Sequence, residues 1–238
     1  MAGKDGTRKA LVMGATGYVG RQVVRGLCEE GIATLAHVRP GSTQIDAWHE
    51  RFSEQGAVVL STPWNAQAIE SALAKHAPTH VFALIGTTKA RAKRDQIPGD
   101  IYQSIDYGLT KMLLDGCVAL DPKPRFIYLS SVGASASSRS AYLRARGKLE
   151  ADLADSGLSW LSARPAAITG HDRDVDRPAE RWGAAIGDTV LSIASLFGAK
   201  KLKEEYESTS STRLAEALVA LGLSDESGVQ SGAALRRS

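Results

Sequence analysis

Apolar residues in this chain cluster in short blocks separated by longer stretches of mixed character. The blocks lie at 10–13, 33–38, 57–60, 80–85, 125–131 and 158–163. Runs of this length, rich in Val, Ile, Leu and Phe, predict strands buried on both faces. The intervening stretches carry apolar residues three and four apart. Val19, Val23, Val24 and Leu27 form one such stripe, and Ile105, Leu109, Met112, Leu113 and Cys117 form another. Helices are therefore predicted after each strand, including 43–55, 65–76 and 141–156, with further helices near 182–197 and 214–221. Gly31, Gly56, Pro122 and Pro124, and Arg164-Pro165 punctuate the boundaries. Strands alternating with helices predict a parallel sheet covered on both sides, an α/β doubly wound architecture with a small C-terminal helical addition. One domain over 8–222 accommodates this, its C-terminal helical part at about 179–222. Residues 1–7 and 223–238, small and polar, are expected to be flexible tails.

The first block runs directly into glycine. Ala10-Leu11-Val12-Met13 is followed by Gly14-Ala15-Thr16-Gly17-Tyr18-Val19-Gly20, and then by the first helical stripe. A strand, a tight glycine turn and a helix N-terminus together make an anion site, because backbone N–H groups and the helix dipole face the turn. Gly14 takes the sharp turn, Gly17 permits close ligand approach, and Gly20 lets the helix pack on the sheet. A glycine triplet alone is weak evidence; its setting between a strand and a helix makes it a dinucleotide-binding motif of a Rossmann-type fold. In such sheets ligands bind beyond the carboxyl ends of the strands. The residues expected to converge are then Gly14–Gly20, Arg39, 86–88, 130–134 and 164–168.

Composition narrows the classes. The 238 residues are 43% hydrophobic and 23% charged with a formal net charge of +3, ordinary for a globular protein. A mild positive balance permits an anionic ligand but lacks the concentrated basic face of a nucleic-acid binder. Cys28 and Cys117 both fall in helical stripes, which suggests buried thiols and a reducing compartment. No run approaches the roughly 18 apolar residues of a membrane span, and the N-terminal residues lack a secretory core. The expectation is a cytoplasmic protein without nucleic-acid or membrane partners.

The second strand helps to choose the dinucleotide. NAD sites place an acid there for the ribose 2′-hydroxyl. Here His37-Val38-Arg39 occupies that point, and the nearest downstream acid is Asp46. An arginine instead suits a 2′-phosphate, so NADP (NADPH) is favoured. For chemistry, Ser131 closes the fifth strand and Tyr142 opens the next helix. A tyrosine working near neutral pH needs a nearby cation. Arg146 lies one turn along the same face, whereas Lys148 is rotated away. The cluster Lys89, Arg91, Lys93 and Arg94 reads as a solvated loop, with a mobile lid over the cofactor or an anionic-substrate site as the functional alternative. His171-Asp172-Arg173-Asp174 lacks a second ligand spacing, so no metal is assigned. No Gly-x-Ser-x-Gly elbow supports a hydrolase.

Gly14–Gly20, Leu84-Ile85-Gly86-Thr87-Thr88, Ile105-Asp106-Tyr107, 129–134, Tyr142 to Glu150, and Arg164-Pro165 occur in order. Together they resemble the atypical, NmrA-like short-chain dehydrogenase/reductases, particularly the branch with the Tat-interacting-protein oxidoreductases, over nearly the whole chain. The resemblance implies a Rossmann fold, NADP(H) binding and a Ser–Tyr–Lys type site. In that family the tyrosine is the acid/base, the serine orients the substrate carbonyl, and the lysine binds the nicotinamide ribose and lowers the tyrosine pKa. The catalytic residues it implies are Ser131, Tyr142 and Arg146. The cofactor-binding set is Gly14, Ala15, Thr16, Gly17, Tyr18, Val19, Gly20, Arg39, Leu84, Gly86, Thr87, Thr88, Ser130, Tyr142, Arg146, Pro165, Ala166, Ala167 and Ile168. The sequence departs from the family at one point: Tyr-x-x-x-Lys is here Tyr142-Leu-Arg-Ala-Arg146. A flat guanidinium does not replace a compact ammonium at a ribose. Cofactor binding is therefore better supported than catalysis.

Three functions remain open from the sequence. The first is an NADP-dependent oxidoreductase for a small carbonyl or alcohol. The second is a non-catalytic NADP(H)-binding redox sensor or scaffold with a regulatory protein partner. The third is an epimerase or dehydratase that retains its nucleotide. A homodimer is compatible with each.

Overall fold

A computed structural model of the chain describes residues 8–87, 96, 98–166, 168–169 and 209–235. Its strands are β1 (Lys9–Met13), β2 (Ala33–His37), β3 (Val58–Leu60), β4 (His80–Ala83), β5 (Arg125–Leu129), β6 (Trp160–Arg164), β7 (Ile168–Thr169), β8 (Thr209–Ser210) and β9 (Gly228–Ser231). Its helices are α1 (Gly20–Glu29), α2 (Ile45–Glu54), α3 (Ala66–His76), α4 (Thr110–Val118), α5 (Ala141–Ala154) and α6 (Ser211–Leu223). A π-helical segment, Tyr102–Leu109, leads into α4.

Seven strands form one sheet in the order β3-β2-β1-β4-β5-β6-β9, every pairing parallel. The chain winds outward from β1 to β3, returns to the other side of β1, and winds outward again from β4. The fold is therefore doubly wound, with its crevice where β1 and β4 diverge. The two sheet faces carry separate cores. Val23, Val24 and Leu27 of α1, Phe52 of α2, and Leu214 and Leu218 of α6 cover one face. Ile69 and Leu73 of α3, Leu113 and Leu114 of α4, and Leu149 and Leu153 of α5 cover the other. Continuous apolar strands are what such double burial demands.

The sheet corrects one expectation. Residues 228–235, which read in the sequence as part of a flexible tail, form β9 against β6 and then a 3₁₀ turn, Gly232–Leu235. Their small polar side chains hide the strand. The cause is tertiary: β6 offers an open edge of N–H and C=O groups, and Leu235, 2% exposed, enters the core beside α6. The helix expected at 214–221 is α6, which begins three residues earlier because the Ser210 hydroxyl accepts from the Arg213 N–H at 3.2 Å. The strands expected to reach Val38 and Ile85 end at His37 and Ala83. The helix expected near 182–197, Lys89 to Arg94, and His171 to Asp174 lie outside the described residues.

Candidate functional site

Parallel strands put all their carboxyl ends on one edge of the sheet, and the sequence-predicted residues collect there. The turn 14–19 follows β1, Arg39 follows β2, Gly86 and Thr87 follow β4, Ser130 and Ser131 follow β5, and Pro165 and Ala166 follow β6. Hydrogen bonds knit these ends together. Leu84 N–H donates to the Met13 carbonyl at 2.9 Å, Ser130 N–H to Ala163 at 2.8 Å, and Val132 N–H to Pro165 at 3.0 Å. Arg39 is exposed at the rim. Thr88 and Ala167 lie outside the described residues, and of Ile168 only its place in β7 is described.

The glycine turn has the shape of a phosphate cradle. Gly14 adopts φ +88°, and a Cβ there would sit 2.6 Å from the Leu84 carbonyl oxygen. At Gly20 a Cβ would run into the Gly14 carbonyl. Gly17 closes the turn, its N–H donating to the Gly14 carbonyl at 3.0 Å. α1 starts at Gly20 with no side chain capping its N-terminus, and α2 and α4 also lack one, whereas Asn65, Ser140 and Ser210 cap α3, α5 and α6. Of the three uncapped helices, α1 is the one that stands behind the glycine turn. An uncapped helix end behind a glycine turn leaves N–H groups and positive dipole for an anion. Two buried hydroxyls at neighbouring strand ends, Thr87 Oγ1 and Ser130 Oγ, have no partner among the described residues. Buried polar atoms without partners are rare, and a polar ligand lying along these ends would satisfy them. The residues present thus fit a dinucleotide.

The catalytic candidates sit further along the same edge. Ser131 is buried, its hydroxyl donating weakly to the Val132 carbonyl at 3.3 Å. Tyr142 is half-buried in the first turn of α5, edge-on to Tyr102 with ring centroids 5.5 Å apart. The Arg146 guanidinium lies over the Tyr142 ring at 5.0 Å, as the one-turn spacing predicts. Lys148 is exposed. Arg146, however, is 5% exposed and engaged with protein groups. Its Nη2 donates to Asp106 Oδ1 at 2.8 Å, and its Nη1 to the Leu129 carbonyl. Burial opposes its charge, but Tyr142, Tyr128 and Asp106 outweigh that and raise its pKa. The family resemblance assigns Arg146 to the nicotinamide ribose; the structure gives both its Nη atoms to the protein.

Three further residues escape the sequence pattern. Asp106 enters it only as part of a motif, although a lone acid inside the apolar stripe around Ile105 and Leu109 is a signal of a buried charge. Glu150 on α5 accepts from Ser162 on β6 at 2.7 Å and from both Arg164 Nε and Nη2. That fork fixes α5 to the strand whose end carries Pro165. Gly147 has no sequence signal at all. Any Cβ there would collide with the backbone of Ser135 and Ala136, so the loop after Ser131 can lie flat on α5 only over a glycine. Among the described residues no group of three or more metal-ligating side chains forms.

The doubly wound sheet and its glycine cradle define a Rossmann-type nucleotide-binding protein. The chain belongs to the NAD(P)H-binding family, whose profile matches residues 14–194. It is 27% identical over 170 residues to the mitochondrial protein FMP52 of Candida albicans, covering 69% of each chain. It is 30% identical over 166 residues to the chloroplastic divinyl chlorophyllide a 8-vinyl-reductase of Oryza sativa subsp. indica, covering 66% of this chain and 39% of the reductase. Among solved structures it is similar to the UDP-glucose 4-epimerase of Thermus thermophilus in complex with NAD. The TM-score is 0.63 at 18% identity, covering 93% of this chain and 76% of the epimerase. It is also similar to the acetoin dehydrogenase of Enterobacter cloacae, with a TM-score of 0.61 at 17% identity, covering 95% and 93%. These likenesses place the fold among the epimerase and short-chain dehydrogenase/reductase-like Rossmann proteins.

Proposed function

We propose that the protein is an NADP(H)-dependent oxidoreductase of the atypical, NmrA-like short-chain dehydrogenase/reductase type, acting on a small carbonyl or alcohol. The observation that carries this reading is the uncapped, glycine-cradled N-terminus of α1 on the same sheet edge as Ser131 and Tyr142. The turn Gly14–Gly20 holds the pyrophosphate, Arg39 receives the 2′-phosphate, and Thr87 and Ser130 offer hydroxyls to the remainder. The bound dinucleotide supplies hydride exchange with the substrate carbon. Tyr142 Oη exchanges the proton with the substrate oxygen, and Ser131 Oγ orients that oxygen by hydrogen bonding. The two relatives named as reductase and dehydrogenase are consistent with this class. The proposed location is the cytoplasm, in keeping with free Cys28 and Cys117, although the Candida relative is named as mitochondrial.

A second reading rests on Arg146. Its commitment to Asp106 and Leu129 favours a protein that binds NADP(H) as a redox sensor without turnover. One substitution separates the two. Tyr142→Phe should abolish NADPH oxidation across a panel of small carbonyls while leaving NADPH affinity within about twofold, since it deletes only the proton-exchanging hydroxyl. Unchanged turnover in that variant would overturn the role of Tyr142. A wild-type protein that binds NADPH but oxidises none of it across the panel would favour the sensor.

A further inference from the structure

The Asp106–Arg146 pair stands at the junction of four elements on the candidate edge. Asp106 is 1% exposed and lies in the π-helical segment Tyr102–Leu109. Its Oδ1 accepts from Arg146 Nη2 at 2.8 Å, and its Oδ2 accepts from the backbone N–H of Thr87, just beyond β4, at 3.1 Å. Arg146 comes from α5 and reaches on to the Leu129 carbonyl, the last residue of β5. One carboxylate and one guanidinium therefore tie the end of β4 to the end of β5, the strands that carry Thr87 and Ser130.

Room for the pair is built into the chain. A Cβ on Gly86 would lie 2.9 Å from Arg146 Nη2 and 3.5 Å from Asp106 Oδ1. The wide turn is held from behind, where the buried Thr110 hydroxyl donates to the Asp106 carbonyl at 2.7 Å. π-helical turns recur at functional sites because they re-aim a side chain. An isolated buried ion pair gains little stability over apolar packing. What this one supplies is placement of two strand ends.

We propose that Asp106 is a positioning residue of the dinucleotide site. It sets Arg146 as a bridge rather than a ribose ligand, and through Arg146 and the Thr87 amide it fixes the half of the cleft beyond β4 and β5, where the nicotinamide end lies. This role rests on the NADP(H) reading above. The carboxylate is required because each oxygen faces an N–H donor. An asparagine would turn its own NH₂ toward one of them, and an unmatched buried donor is costly. The adenine half, held by the Gly14 turn and Arg39 on the other side of the crevice, makes no use of the pair.

The test compares two ligands by fluorescence and calorimetric titration. NADPH spans both halves of the cleft, and adenosine 2′,5′-bisphosphate fills only the adenine half. In Asp106→Asn, NADPH binding should weaken by about tenfold while adenosine 2′,5′-bisphosphate binding stays within about twofold of wild type. The enhanced emission of bound NADPH should also fall at saturation, a change that general loosening of the fold would not produce selectively. Arg146→Lys keeps the ion pair and loses the reach to Leu129, so its NADPH loss should be smaller, about threefold. That variant carries the comparison if Asp106→Asn does not fold. Parallel weakening of both ligands, or no weakening of NADPH, would overturn the positioning role. Failure of the wild-type protein to bind either ligand would instead overturn the dinucleotide reading, and this role with it.

Discussion

Of the three glycines in the first turn, Gly17 carries the least structural duty. Gly14 needs its positive φ and Gly20 its missing Cβ, but at Gly17 a Cβ would meet only the Gly14 carbonyl, at 3.1 Å. Gly17→Ala should therefore fold with a stability loss of about 1 kcal/mol or less, read by thermal unfolding. It should nevertheless weaken NADPH binding by about tenfold or more, since the methyl occupies the ligand's approach. Equal affinity would show that no phosphate lies there. His37 gives a second prediction of the same scale. It is buried at the end of β2, its Nε2 2.9 Å from the Thr62 carbonyl, edge-on to Trp64. Burial lowers its pKa below the ordinary 6.5, with the Thr62 carbonyl pulling the other way. Because the folded state binds the proton less readily, its contribution to stability is complete above about pH 6.5 and is lost as the pH falls below it. His80, pushed down to about 4 chiefly by burial, acts in the same direction. Unfolding followed from pH 7.5 to 5 should show this loss, and His37→Gln should reduce it. An unchanged pH profile would assign the loss to other groups.

At the scale of elements, what can be read ahead and what cannot have a common cause. β1, β2, β4, β5 and β6 announce themselves because strands buried on both faces must be apolar throughout. β9 does not, since Gly-Val-Gln-Ser pairs through backbone groups that every residue carries. Its stability is borrowed from β6 and from Leu235. Leu235→Ala should cost roughly 2 to 5 kcal/mol in denaturant unfolding, the range for a buried leucine in a packed core. A loss under about 0.5 kcal/mol would mean that this segment contributes nothing to the fold. The π-helical segment is foreseeable only as a helix. An apolar stripe fixes which face is inward, but not the widening that lets Asp106 and Thr110 share one buried turn. Likewise the spacing of Tyr142 and Arg146 predicts that they meet, while the partners that engage Arg146 come from 17 and 40 residues away. Local pattern contains the first relation and not the second.

Across the whole molecule, the order β3-β2-β1-β4-β5-β6 brings the ends of distant segments to one edge, and this can be inferred from alternation of strand and helix alone. In the proposed function, the chemistry on that edge separates into an adenine side, with the glycine cradle and Arg39, and a nicotinamide side, with Thr87, Ser130, Ser131 and Tyr142. The proposed function requires that the cleft binds NADP(H) and recognises its 2′-phosphate through Arg39. Its most direct test is a pair of titrations, NADPH and NADH, on the wild-type protein and on Arg39→Ala. NADPH should bind at least about tenfold more tightly than NADH to the wild type, and Arg39→Ala should bring the two affinities together by weakening NADPH alone. Equal affinities in the wild type, or a preference that survives Arg39→Ala, would contradict it.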